Sequence, residues 1–301
     1  MVRKMEQIIR QAIDRESGAV IQESVYGDRQ LRLLYTTPWG GLLRTAYVTR
    51  PMFSARYGKR MRRPSSIRLI PDFIAKNKID TADYKDRAWT SFTDFFIREP
   101  KAAKRPWPND SARLGSPADA RLSVYKIADD SLLWIKGFSY TVEQLLGERE
   151  DGFAGGLALV FRLTVADIHR YYYPDNCLIQ RPVKRIPGRL HTVGPHSDGR
   201  VPVLRENSRV VNYLRTEQFG LVAMLEVGAL TIGSIVNHPR EKAQRGAEKG
   251  WFEPGGSTIV LLFEPGRILV DRDILDWCQA GYEVRVLIGE GIATRVEATN
   301  V

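Results

Sequence analysis

From about residue 118 onward the chain is a succession of short apolar runs separated by glycine and proline. They are Leu132–Ile135, Ala158–Leu163, Leu178–Ile179, Arg209–Leu214, Leu221–Val227, Thr231–Val236, Ile259–Phe263, Ile268–Val270 and Val284–Ile288. Each is short, bounded by turn formers and supplied with β-branched residues, so each reads as a strand. Strands that follow one another with few helices between them predict an antiparallel or mixed sheet, not a βαβ array. At 301 residues, 43% hydrophobic and 27% charged, the chain can bury a sizeable core and shows no signature of disorder. The expected fold class is α+β, with a helical region over residues 1–99 and a β-rich domain over 100–301. The proline-rich, basic stretch from Pro100 to Pro117 joins the two. Internal repeats and a Rossmann fingerprint are both absent from the sequence.

The first quarter of the chain is different in texture. Residues 1–75 hold 14 Lys or Arg against six Asp or Glu, so +8 of the net charge of +10 lies there. Val2, Met5, Ile9 and Ile13 fall at helical spacing and predict a helix over 1–15. Leu31 to Tyr57 is rich in aromatic and aliphatic residues, punctuated by arginine and broken at Pro38-Trp-Gly-Gly41. Amphipathic helices of this composition suit the headgroup zone of an anionic membrane, though packing on the chain's own domain is an equal reading. Nucleic acid is a poorer partner, since the sequence has no helix-turn-helix, zinc spacing or RNP-like strand. No apolar run is long enough to span a bilayer, and a signal peptide is not expected. Cys177 and Cys278 form neither a metal spacing nor a disulfide framework, which fits a reducing compartment.

The chemistry concentrates in Trp251-Phe-Glu-Pro-Gly-Gly-Ser-Thr-Ile-Val-Leu-Leu-Phe263. Two glycines turn the chain into a buried strand, and a hydroxyl stands at the entrance. Gly256 has no Cβ to block an approach to its own carbonyl, so Ser257 reads either as an ordinary serine of a turn before a strand or as a hydroxyl set to attack the peptide bond before it. A Gly-x-Ser-x-Gly elbow, which would aim a serine at an outside substrate, is missing. Only four histidines are present: His169, His191, His196 and His238. His169, in Asp167-Ile-His-Arg-Tyr-Tyr-Tyr-Pro174, reads either as a core histidine or as a general base. Asp119, in Ser116-Pro-Ala-Asp-Ala120, reads either as a turn cap or as a carboxylate that orients a histidine.

With those residues in view, the chain resembles the phosphatidylserine decarboxylase family, pyruvoyl enzymes made from a self-cleaving proenzyme. The resemblance runs from about residue 31 to the C-terminus. Its pieces, in order, are Phe92-Thr-Asp-Phe-Phe-Ile-Arg98, Ser116-Pro-Ala-Asp119, Ile135-Lys-Gly-Phe-Ser-Tyr-Thr-Val-Glu-Gln-Leu-Leu-Gly147 and Asp167-Ile-His-Arg170. Asn207-Ser-Arg-Val-Val211, Phe219-Gly220, Val227-Gly-Ala229, Gly233-Ser-Ile235, Lys249-Gly250 and Gly255-Gly-Ser-Thr258 complete the series.

The resemblance implies that Ser257 cleaves the chain at Gly256/Ser257. The products are a β chain of residues 1–256 and an α chain of 257–301, held as a heterodimer. Residue 257 becomes a covalent pyruvoyl group that forms a Schiff base with phosphatidylserine, releasing CO2 and leaving phosphatidylethanolamine. Neither pyridoxal phosphate nor a metal is implied. His169 is the implied base and acid, and Asp119 the group that orients it. Many family members carry a second histidine three residues after the first, where this chain has Tyr172. Tyr172 and His191 are therefore secondary candidates for moving a proton. The implied partner is phosphatidylserine in an anionic membrane, at the cytoplasmic face and with peripheral attachment; a homo-oligomer stays open. Two other readings also stay open: a pyruvoyl decarboxylase of a free amino acid such as tryptophan, and an uncut lipid-binding protein.

Overall fold

The computed structural model describes residues 11–21, 23, 27–181, 183–231 and 234–297. Its centre is an eleven-stranded sheet. From one edge the order is Lys242–Ala243, Cys177–Ile179, Arg209–Thr216, Leu221–Gly228, Ser257–Phe263, Leu157–Leu163, Ala120–Lys126, Glu283–Val286, Ala12–Asp14 and Val20–Ile21. Lys184–Ile186 pairs beside the third of these. The only parallel pairing among the described strands of this sheet is Ala12–Asp14 with Glu283–Val286; the rest are antiparallel. The fold is thus α+β around a large mixed sheet.

The central strands are covered on both faces, which explains their unbroken apolar runs. Ile259, Leu261 and Phe263 face one core with Leu159, Phe161, Val222 and Met224. Val260 and Leu262 face the other with Ala158, Val160, Ala223 and Leu225. A small sheet of Ile235–Asn237, Glu248–Phe252 and Arg170–Tyr172 supplies Tyr171 and Phe252 to the first core.

Residues 28–77 are mainly helical: Asp28–Thr36, Pro38–Leu43, Pro51–Met61 and Ile70–Asn77 are α-helices, with a π-turn at Arg44–Val48. Pro38 does not break this segment but starts a helix. Thr37 accepts a hydrogen bond from the Gly40 N–H, and Pro38 sits in the first turn where no donor is missed. A third core of Met61, Ile70, Phe73, Phe92, Phe95 and Phe96 fastens the helices to the segment that follows.

The helix expected over 1–15 is corrected in part: residues 1–10 lie outside the described residues, and Ala12–Asp14 is a strand. Ala12 and Ile13 are buried, so sheet pairing overrides the helical spacing. The strand expected over Thr231–Val236 is shorter, at Ile235–Asn237. Residues 232 and 233 lie outside the described set, and Thr231 turns with φ +71°.

Candidate active site

The site is built on a single excursion of chain between two sheets. Trp251 pairs with Arg170, and the Phe252 N–H donates to the His169 carbonyl at 2.8 Å. The chain then turns through Glu253-Pro254-Gly255-Gly256 and enters the large sheet at Ser257, opposite Gly228 and Leu163. Gly255 makes the turn with φ +151°, a conformation that favours glycine. A Cβ built on Gly256 would meet nothing within 4 Å, so the Cβ side of this residue is open.

Ser257 is fully buried, and its hydroxyl has no hydrogen-bond partner among the described residues. Pairing to neighbours on both sides fixes its backbone while leaving Oγ uncommitted. A buried hydroxyl without a partner is costly, and those of Thr258 and Thr93 are left in the same state among the described residues.

His169 reaches the same turn from the other side. The strand Leu157–Leu163 ends where the Asp167 carboxylate accepts from the Thr164 N–H and hydroxyl, both at 2.8 Å. That turn presents the Asp167 carbonyl to His169 Nδ1 at 3.1 Å. A carbonyl can only accept, so the proton is assigned to Nδ1 and the lone pair to Nε2. Nε2 is buried without a well-formed hydrogen bond among the described residues, although the Gly255 backbone lies close enough to the ring to favour its protonated form. Phe96 stacks on the imidazole, with centroids 4.1 Å apart. Burial pulls the His169 pKa down to about 4, so the ring is neutral near pH 7.

Of the two readings of Asp119, the structure shows it holding a backbone donor, together with an arginine. Its carboxylate accepts from Arg105 Nε at 2.9 Å and Nη2 at 2.7 Å, and from the Ile288 N–H at 2.8 Å. The group that orients His169 is thus the Asp167 carbonyl, and Asp119 is a buried ion-pair partner of Arg105. Spacing alone could not separate these, because a turn carboxylate serves an arginine as readily as a histidine.

Tyr172 packs against the cluster of Tyr84, Ile168 and Ile288, the residue whose N–H bonds Asp119. Burial first, then the charge of Glu248, pushes its phenol above the ordinary tyrosine range, so it stays protonated. His191 is engaged elsewhere: Nδ1 lies 3.3 Å from the Tyr35 hydroxyl, and its backbone is clamped by Asn207. Burial lowers its pKa to about 4. Asn207 also donates to the Gly228 carbonyl at 2.8 Å, so His191 supports the strand end that faces Ser257. His196 pairs with Asp28 and His238 with Glu248, each at 2.8 Å.

Two features escaped the sequence reading. Arg62, at the end of the helix Pro51–Met61, grips Glu253 with Nε 2.9 Å from Oε1, and Nη2 contacts both carboxylate oxygens. The helical segment is thereby fastened to the turn that carries Gly255 and Gly256. Lys249 and Glu226 form an ion pair of 2.8 Å at 1% and 0% side-chain exposure. Burial pushes the carboxyl up and the ammonium down, each opposed by its partner. No local signal in the sequence distinguishes this pair from solvated charges.

The described residues thus place a buried, partnerless hydroxyl at the end of a glycine turn, with a neutral imidazole against the Gly255 end of the same turn. Comparison with known proteins gives the family. The phosphatidylserine decarboxylase family profile matches residues 92–294. Phosphatidylserine decarboxylase proenzyme 2 of Clostridium acetobutylicum is 42% identical over 282 residues, covering 93% of this chain and 96% of that protein. The proenzymes of Chlamydia caviae and Fusobacterium nucleatum are 36% and 34% identical, each over more than nine-tenths of both chains. The chain belongs to the phosphatidylserine decarboxylase family.

Proposed function

We propose that this chain is a phosphatidylserine decarboxylase proenzyme that matures by cutting itself between Gly256 and Ser257. The observation that carries the reading is the buried Ser257 hydroxyl, which has no hydrogen-bond partner among the described residues, at the end of a turn whose Gly255 lies against the neutral His169 ring. His169 takes the hydroxyl proton at Nε2 as Oγ bonds to the Gly256 carbonyl carbon. The Gly256–Ser257 amide bond breaks, the nitrogen takes a proton, and an ester on Oγ remains. Loss of the Ser257 Cα proton and rupture of the ester C–O bond then leave a Gly256 carboxylate and dehydroalanine at 257. Addition of water to that residue releases ammonia and leaves a ketone. A neutral His169 is the form that can accept the first proton, and Phe96 holds its ring in place.

The residues present fit a pyruvoyl group formed at 257, since the position is buried, its side chain carries no other bond and the Cβ side of Gly256 is open. When formed, such a group supplies an electron sink for the pair left by departing CO2, the task pyridoxal phosphate performs elsewhere. Tyr172, held as a phenol, is the group we assign to return a proton after CO2 leaves. Residues 1–99 form the membrane-association region and 100–301 the catalytic domain, with Ala12–Asp14 lending a strand to the latter.

The helical segment offers Leu33, Trp39, Leu42 and Met52 at 60%, 82%, 62% and 59% exposure, interspersed with Arg32, Arg56, Lys59 and Arg60. No helix among the described residues is long and apolar enough to cross a membrane. We infer peripheral attachment at the cytoplasmic face, with lysine and arginine drawn to anionic lipid. A free amino acid would need no such apolar platform, which favours the lipid as substrate. Ser257→Ala tests the reading: the variant stays one chain and has no decarboxylase activity. Cutting of that variant at the same bond would overturn the proposal.

A further inference from the structure

Arg98 ends the segment Phe92–Arg98 and is completely buried. Nη2 donates to the Ala166 carbonyl and to the Tyr84 hydroxyl, the latter at 3.3 Å. The rings of Tyr84 and Phe95 lie 4.4 and 5.0 Å from Cζ. Nε and Nη1 are buried and have no hydrogen-bond partner among the described residues.

The other buried arginines are different. Arg105 is held by Asp119, Arg162 by Glu283 and Glu23, and Arg121 by Glu23. Arg209, which lacks a carboxylate partner, spreads its donors over the carbonyls of Leu145, Arg205, Asn207 and Gln144. Arg98 has neither solution. A buried cation without a counter-ion is strongly disfavoured, and two ring faces offset only part of that cost. The arrangement fits a site completed by an anion that the chain itself does not supply.

The site lies beside the reacting residues. Arg98 holds the carbonyl of Ala166, and His169 holds that of Asp167, the next residue. Phe95 faces Arg98, and Phe96 stacks on His169. The positive charge of Arg98 also helps keep the imidazole neutral.

We propose that Arg98 binds the phosphodiester of the lipid headgroup, through the N–H groups that the protein leaves free, while the headgroup amine reacts beside His169. This rests on the lipid-decarboxylase reading above. Phosphatidylserine carries two anions near its amine, and differential binding separates them. A cation fixed on the carboxylate would stabilise the charge that must leave as CO2, and so would favour the ground state. The phosphodiester keeps its charge throughout and lies only a few bonds from the amine, so holding it positions the substrate without opposing the reaction.

The test uses mature wild-type enzyme, R98Q and R98K. The binding probe is glycerophosphocholine, which has a phosphodiester, no carboxylate and an ammonium that cannot condense with a ketone. Calorimetry should show binding to wild type, weaker by about tenfold or more in R98Q and by an intermediate factor in R98K, whose ammonium lacks the planar fork. KM for phosphatidylserine in mixed micelles should rise in step, with the loss falling on KM rather than kcat. R98Q with wild-type affinity and KM overturns the inference. So does a loss confined to kcat, which would put Arg98 on the reacting carboxylate, or a loss confined to maturation, which would assign it to the new Gly256 carboxylate. Should R98Q fail to fold, wild type and R98K decide: no glycerophosphocholine binding to wild type, or equal binding to both, overturns it. Failure of the wild type to decarboxylate phosphatidylserine would instead remove the reading beneath.

Discussion

The strand Ser257–Phe263 and the helical segment 28–69 are both rich in apolar side chains, and the fold treats them in opposite ways. Every residue of the strand is buried. In the helical segment Trp39, Leu42, Leu33 and Met52 are each more than half exposed, among exposed arginines. Charges divide similarly. Those of the sheet are matched inside it, as with Glu226 and Lys249, whereas Arg56, Lys59, Arg60, Arg63 and Arg68 face solvent. Apolar area is worth roughly 25 cal/mol per Å² when removed from water, so the exposed residues add little to folding and remain available for another surface. The strand is sealed inside the fold, whereas the helical segment keeps an apolar and basic face in solvent, the face we propose meets lipid. Arg62 with Glu253, in the turn before Ser257, and the Thr49 carbonyl with the Leu190 N–H at 2.8 Å tie the two together.

The largest effect expected from breaking this division is chemical. His169→Gln should slow maturation by about 10²–10⁴-fold, the range for loss of a positioned base, as read by the cut fraction over time on denaturing gels. Normal maturation would move the base elsewhere. The same residue predicts a pH dependence. Its pKa is about 4 when folded and 6.5 in the free side chain, so the unfolded chain binds more protons between those values. Stability is therefore full above pH 6.5 and falls as pH drops from 6.5 toward 4; His191, also lowered to about 4, acts in the same window. Denaturant midpoints at pH 7 and pH 5 check the sign, and a higher midpoint at pH 5 would contradict it.

The next effect in size concerns the core. Lys249→Met leaves Glu226 buried without its cation and should cost about 3–5 kcal/mol in denaturant unfolding. A cost under about 1 kcal/mol would mean that the pair is not sealed from water.

The smallest effect on folding should come from the other region. Trp39→Ala with Leu42→Ala should change stability by no more than about 0.5 kcal/mol while lowering flotation with anionic vesicles. High salt should release the wild type from those vesicles, with about 1 kcal/mol lost per screened Lys or Arg. Equal flotation with neutral and anionic vesicles would reject the electrostatic part. A large loss of stability would show that these side chains serve the fold after all.

The sheet was legible wherever one strand forms a continuous apolar run, because burial on both faces writes itself into consecutive residues such as Ile259–Phe263. Strands with mixed composition, such as Arg170–Tyr172 and Glu248–Phe252, were not legible, since long-range pairing defines them. The helix Arg272–Gln279 was also missed, although Ile274 and Cys278 recur at helical spacing against the core. In the site, the glycine turn opening onto a buried strand at Ser257 was legible from local sequence, whereas the role proposed for Ser257 came from the family resemblance. The partner of Asp119 was not legible, because Arg105 lies fourteen residues away in a proline-rich connector that also offers Lys101, Lys104 and Arg113. Arg98 was visible only as part of a motif, since a sequence does not show which cation lacks an anion.

Intact-mass spectrometry of purified, decarboxylating protein tests the central claim most directly. The account predicts two chains, residues 1–256 and 257–301, the shorter starting with a ketone in place of an amine and absent from Ser257→Ala. A single uncut chain with full decarboxylase activity would contradict it.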